Sequence, residues 1–480
     1  MSGQPTRRRF LRSGAVGSLF GIAGCLRLSS DNTVTPSPTA GTGNTDSPEP
    51  EVDDSTDTPR GSGGDQPRDD TGGQRLPSEP LTDWPVFRTD PAGTGYDPAA
   101  TGPTTDVEEL FRVSSDEAIT TSPVLADGYL YYTDRTETLN AVDAATGEIS
   151  WTQNLPKPPH TGSPTVAGGR LFVGNREGTL FALDAEAGAF IWDWTTDAEG
   201  IWGSPIVANG TLYVGDVRGG VHALDPADGT HQWTYQTAGK WLVSTPAVDT
   251  DDGTVYVSTM TALELPDGHD EFFFDYTGSP GQIFQWFGSN EFDRFGQLEG
   301  EGTVEAVDGG TGDGRWQTSF PDFVVSSPAI AEGRVFVGCW DHSLYCLDAT
   351  DGTERWTHAT GGPISGSPSV VDGQAFITSG RGDLYNVDVS SGERNWFVPI
   401  DGPVTSAPSI TDQAIYVATN FSGVLAVDRE SGRVLWQRTV TDQTTHEAAS
   451  PVVSGGRVFV PGNLRGEDLK DPPGAMFVFG

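Results

Sequence analysis

Residues 163–192 read SPTVAGGRLFVGNREGTLFALDAEAGAFIW. A short apolar run follows Pro164, a second is Leu171-Phe172-Val173-Gly174, a third is Leu180-Phe181-Ala182-Leu183-Asp184, and a last one ends on Trp192. Glycine-bearing turns separate them, so the segment reads as four short antiparallel strands in about 40 residues, the dimensions of one propeller blade. On either side, Ser-Pro or a near variant recurs with Pro at 123, 164, 205, 246, 328, 368, 408 and 451, in steps of 41, 41, 41, 82, 40, 40 and 43 residues. A fixed period of this size outweighs any local propensity.

The tryptophans sharpen the repeat. Trp151, Trp192, Trp233, Trp316, Trp356, Trp396 and Trp436 each lie four residues after a Gly and ten after a slot filled by Ala141, Ala182, Ala223, Ala306, Cys346, Asn386 or Ala426. An indole on each outer strand can lie flat over a residue without bulk, which buries a large ring between blades and makes the set structural. The Asp before each turn, such as Asp184 or Asp348, is expected to accept backbone N–H bonds there.

The last repeat lacks an outer strand, because the chain stops after Met476-Phe477-Val478-Phe479-Gly480. Residues 107–113 place Phe111 twelve residues before Pro123, a gap that matches several Trp-to-Pro gaps. They are expected to pair with residues 475–479 and close the ring, leaving no open edge. The 82-residue step shows no second Ala-to-Trp spacing, so it is read as one blade, the fourth, with an insertion at 261–301. The fold class is thus all-β, an eight-bladed β-propeller occupying residues 81–480.

This docking pattern resembles the pyrroloquinoline-quinone-like repeats of quinoprotein propellers. Trp84-Pro85-Val86-Phe87-Arg88, followed by Asp90 and Gly93-Thr94-Gly95, resembles that family's entry to its first blade. In its dehydrogenases the resemblance implies a quinone in the funnel against a Trp and an adjacent-Cys disulfide, Ca²⁺ held by carboxylate and amide, and an Asp base. Here the Cys are Cys25, Cys339 and Cys346, none adjacent. Asp249-Thr250-Asp251-Asp252-Gly253 is one residue short of a Ca²⁺ loop and is read as a turn. A nucleophile elbow, a zinc motif and a phosphate loop are likewise missing from the sequence. A second similar family, the propeller lipoprotein of the outer-membrane β-barrel assembly machinery, implies a non-catalytic protein-binding architecture. The expected function is therefore a binding or scaffolding module without cofactor, catalytic residues or metal. The alternative is a quinone- and Ca²⁺-dependent dehydrogenase acting on an alcohol or sugar.

Acidic residues outnumber basic ones 67 to 28, a net charge of −39, and the only lysines are Lys157, Lys240 and Lys470. Such a surface repels phosphate, which excludes a nucleic-acid partner. The composition resembles secreted proteins of halophilic archaea, whose carboxylate-rich surfaces stay soluble in concentrated salt.

The first 24 residues read as an address. Arg7-Arg8-Arg9-Phe10-Leu11 resembles a twin-arginine export signal, and Ile22-Ala23-Gly24-Cys25 resembles a lipobox that directs diacylglycerol to Cys25. The apolar stretch between them is too short for a permanent span. Residues 26–80, rich in Ser, Thr, Pro, Gly and Asp, read as a disordered tether with a reach of ~40 Å. The expected location is the outer face of the cytoplasmic membrane, held by lipid, as a monomer with a protein or peptide partner.

Function is grafted onto the faces of a propeller. Loops between second and third strands share a face with the links between blades. That face is expected to hold the insertion, with nine aromatics including Phe273 and Trp286, together with His160, Trp202, Lys240, Trp241 and His446 near the funnel mouth. Lys240 stands out as a rare cation able to attract an anionic ligand. Cys339 is placed in a hairpin loop and Cys346 in the Ala slot, several rungs apart, so no bridge between them is expected.

Overall fold

The computed structural model describes residues 79–480 apart from 120, 136–137, 157–161, 199, 240, 263–299, 401, 420–422, 441–448 and 464–472. Arg7, Arg8, Cys25, His160, Lys240, Phe273, Trp286 and His446 lie outside the described residues. Strands run from β1 (Glu109–Ser115) to β32 (Gly474–Phe479) and form eight four-stranded antiparallel sheets, one per blade. Inner strands of successive blades touch, which sets the sheets in a ring.

Every strand reads as its packing requires. In blade 2, β7 (Arg170–Gly174) and β8 (Thr179–Asp184) are buried and free of polar side chains except at their half-buried ends Arg170, Thr179 and Asp184, whereas β9 (Phe190–Thr195) alternates between half-buried and exposed from Ile191 on. The docking indoles behave as the spacing predicts. A Cβ added to Gly188, Gly229, Gly312, Gly352, Gly392 or Gly432 would meet, at 2.4–2.8 Å, the indole of the preceding blade: Trp151, Trp192, Trp233, Trp316, Trp356 or Trp396. Most of these rings also donate across the junction, as in Trp316 Nε1–H to Ala349 O at 2.9 Å and Trp356 Nε1–H to Val389 O at 2.8 Å. Trp396 keeps the glycine contact, but its buried N–H has no acceptor. In the turns, Asp184 and Asp348 accept the expected backbone N–H bonds.

The ring closes as expected, with slightly different bounds. β1 pairs with β32 from Glu109↔Phe479 to Ser115↔Gly474, and β32 pairs in turn with β31 (Arg457–Asn463). Phe111 takes the place of a docking Trp and lies on Gly147 of blade 1. At the other side of the seam Trp436 donates to Pro103 O at 2.7 Å, so the N-terminal segment supplies the acceptor that a following blade's turn would have offered.

Three details correct the reading of the sequence. The insertion is shorter than 261–301, because β15 (Thr254–Ala262) and β16 (Gly300–Asp308) keep pairing through Thr261↔Glu301 and Ala262↔Gly300. Cys339 ends a strand, fully buried opposite Ser343, while Cys346 pairs with Phe336, and both thiols are free. Residues 84–101 do not build blade 1. They form a strap that passes blade after blade at the end of the funnel where the inner strands finish. Its carbonyls accept N–H bonds from Leu125 (to Trp84), Val166 (Pro85), Val248 (Pro91), Ile330 (Ala92), Val370 (Thr94), Ile410 (Gly95) and Gly456 (Thr101), at 2.8–2.9 Å. Inner edges that would otherwise be unpaired are thereby satisfied in seven blades.

Two rings of side chains complete the throat. At six of the eight junctions the Ser or Thr before the Pro accepts an N–H from the preceding blade: Ser163 N–H to Ser204 Oγ, Ser204 to Thr245, Thr245 to Ser327, Ser327 to Ser367, Ala407 to Ser450 and Ser450 to Ser122. One residue past the Pro, Thr165, Ser369 and Ser409 donate to Pro205, Pro408 and Pro451 carbonyls. Blades 1, 3 and 8 have Val124, Ile206 and Val452 at this position and blades 4 and 5 the smaller Ala247 and Ala329, so none of the five offers a hydroxyl; in blades 4 and 5 a long side chain takes over. Arg88 of the strap supplies the missing donors, NH2 to Pro328 O at 2.5 Å and NH1 to Pro368 O at 2.9 Å. Burial pulls its guanidinium down to about 9, against a raising influence from Asp90.

Candidate functional site

The strap lies at one end of the funnel, and the links between blades lie at the other. There the links between blades rest on strand glycines: Ile201 on Gly174, Leu242 on Gly215 and Ile364 on Gly338. Each apolar residue is thus pinned inward, and its neighbours are turned toward the mouth.

The insertion leaves the ring from a stem bracketed by aromatics. On one side Trp241 exchanges two backbone bonds with Met260 of β15, at 3.1 and 3.0 Å. On the other, Gly300 at the start of β16 has no side chain to keep Phe323 away, since a Cβ there would fall 2.2 Å from the ring. Phe323 in turn meets Trp340 of blade 5 edge to face, with centroids 5.6 Å apart, and accepts the Trp340 backbone N–H at 3.0 Å. Trp202 enters the same face from blade 3, its indole beside Gly200, which the chain adopts at φ +93°. Trp202, Trp241 and Trp340 are all half-buried, each offering an amphipathic ring to whatever seats there.

The mouth is acidic as well as aromatic. Asp322 lies between Phe323 and the link from blade 4; burial raises its carboxyl, helped by the nearby Asp341. Asp341 accepts the Tyr345 hydroxyl and the Ser343 backbone N–H. Of the residues expected at this face, the structure places Trp202 and Trp241 there. Phe323 and Trp340 were missed, because Trp340 sits outside the docking period, in the hairpin between second and third strands of blade 5. That aromatic out of phase with the repeat was the available signal.

Among the described residues, none forms the set that the quinone and Ca²⁺ of the dehydrogenases call for. The chain has no adjacent cysteine pair. Burial pushes the Cys346 thiol up to about 12 and that of Cys339 higher still, so both are inert. Among the described residues no three His, Cys, Asp or Glu side chains converge as a metal site. Asp249–Gly253 is a tight turn at the strap end, with Gly253 N–H donating to Asp249 O.

Several solved structures are similar to this chain. Europium-containing methanol dehydrogenase aligns with TM-score 0.65 and 13% identity over 83% of this chain and 98% of that one. Quinohemoprotein alcohol dehydrogenase from Comamonas testosteroni gives 0.62 and 16% over 83% and 80%. BamB from Moraxella catarrhalis gives 0.55 and 15% over 78% and 99%. No curated protein matches this chain. At these identities the likeness shows the fold alone. The sequence itself goes further, matching a family model over residues 135–270, 287–363 and 340–470, more than half of its length. The chain therefore belongs to the family of pyrroloquinoline-quinone-like repeat propellers described as outer membrane protein assembly factor BamB.

Proposed function

We propose that this protein is a non-catalytic binding module, exported by the twin-arginine route, lipidated at Cys25, and held at the outer face of the cytoplasmic membrane. From there it captures a protein or peptide through the mouth of its funnel. The observation that carries this reading is the arc of half-buried Trp202, Trp241 and Trp340, joined through Phe323 to the stem of the insertion. Aromatic rings set on rigid backbone around a carboxylate-bearing rim are the chemistry of a protein hot spot that prefers a cationic partner. The strap lies at the opposite end of the funnel and leaves these rings uncovered by its own residues.

The test combines two arms. A photo-crosslinker placed at position 340 in native membranes is expected to form one discrete protein adduct. That adduct should disappear when residues 263–299 are replaced by an Asn-Gly turn, with thermal unfolding nearly unchanged. In parallel, pyrroloquinoline quinone with Ca²⁺ is expected to leave the melting temperature where it was; a clear rise with dye-linked alcohol oxidation sinks the reading. Replacing Cys25 by Ser is expected to release the protein from the membrane fraction.

A further inference from the structure

The outer strands of the eight blades do not share one chemistry. In blades 4 to 8 each carries an arginine, namely Arg315, Arg355, Arg394, Arg438 and Arg112. Arg315 reaches Asp308 at 2.9 Å and Asp252 at 3.0 Å, Arg355 pairs with Asp348, Arg438 with Asp106, and Arg112 with Glu109 at 2.6 Å. Arg394 lies over the Phe397 ring, 4.7 Å from its centroid. In blades 1 to 3 the outer strands β5 (Ile149–Asn154), β9 and β13 (His231–Gln236) contain neither Lys nor Arg. Cations along an edge keep other chains from pairing with it, so five blades are guarded and three are open.

Within the open sector β9 differs again. It is the last strand of its sheet and pairs only with β8. Phe190 and Ile191 are 45% and 44% exposed, and Ile149 of neighbouring β5 reaches 51%. The other exposed apolar residues, Phe397 and Val434, share their strands with Arg394 and Arg438. The backbone beneath is rigid: Phe190 meets buried Phe181 edge to face at 5.7 Å, Trp192 covers Gly229, and Trp194 stacks on His231 at 5.8 Å with the planes 2° apart. The exposed charges on β9 and the turns into β5 and β9 are Asp193, Glu148 and Glu186, all negative.

We infer that β9 is a docking edge that takes an extended segment of a partner protein, alternating apolar and cationic side chains, as a fifth strand of blade 2. The ladder supplies main-chain bonds, Phe190 and Ile191 supply apolar contact, and Asp193, Glu148 and Glu186 select Lys or Arg. A second copy of this chain is the wrong occupant, because it would bring Asp193 and a net charge of −39 against their own kind. The inference rests on the protein-binding reading but concerns the flank of the ring, not the mouth.

The probe is an amidated seven-residue peptide alternating lysine and valine, with a control of equal charge whose central valine is proline. Amide exchange is followed on the full-length protein at low and at 2 M NaCl. The first peptide is expected to slow exchange in residues 190–195 by roughly tenfold, to keep part of that protection in high salt, and to leave the outer strand of blade 6 unchanged. The proline control is expected to give no protection. Ile191→Arg is expected to abolish the effect without changing thermal unfolding, while replacing residues 263–299 leaves it intact. That replacement therefore tests the mouth and Ile191→Arg tests the flank independently. Equal protection by the proline control, protection confined to other strands, none at all, or protection of 190–195 by self-association without peptide overturns the inference.

Discussion

At the scale of single residues, the indole clamp and Arg88 make sharp demands. Gly352 adopts φ +72° and a Cβ there would sit 2.4 Å from Trp316, whereas Gly128 adopts φ +82° with nothing within 4 Å. Gly128→Ala is therefore expected to cost about 1 kcal/mol of backbone strain. Gly352→Ala adds displacement of an indole and is expected to cost roughly 3 kcal/mol or more, read from urea midpoints at fixed salt. Arg88→Met strips two Pro carbonyls of their donors and should cost roughly 2–4 kcal/mol in the same assay. Titration gives a further handle. His358 is held below its ordinary value of 6.5 by burial first and then by Arg394, and its Nε2 has no partner. The unfolded chain thus takes up the proton first, so stability is full above about 6.5 and falls as pH drops from there toward the folded value. Melting temperatures between pH 7.5 and 5 check this, and His358→Gln is expected to flatten the slope.

At the scale of strands and turns, the hydroxyl girdle is broken where Ala407 offers nothing to the Ser367 N–H. Ala407→Ser is expected to add about 1 kcal/mol, seen as a higher urea midpoint with unchanged slope. The elements also show what the sequence could and could not reveal. Trp spacing and the Ser-Pro period made the blades, the closing strand and the insertion legible, because each docking ring needs its glycine at one distance along the chain. The strap was not legible as a strap: Trp84 and Val86 look like strand residues, and nothing local tells that the carbonyls of 84–101 answer N–H groups up to 355 residues away. Arg88 was equally hidden, because its role follows from Ala247 and Ala329 lacking hydroxyls in two distant repeats. At the mouth, Trp202 and Trp241 were legible as aromatics in the links, while Phe323 and Trp340 meet only through the stem of blade 4.

At the scale of the whole molecule, a net charge of −39 sets the response to salt. Self-repulsion is screened as ionic strength rises, so the melting temperature is expected to climb between 0.05 and 1 M NaCl and to do so less in a variant with ten surface carboxylates amidated. The seam between β1 and β32 has a different outcome, one of timing. Glu108 and Gly480 exchange backbone bonds at 3.1 Å, so the first strand of the ring stays unpaired until the last strand of the ring has been made. Seven sheets can settle as their own four strands appear, yet the eighth needs strands from both ends of the ring. Closure of the circle is thus dictated by the order of the sequence and comes after every other sheet, whatever the pace at which each one settles.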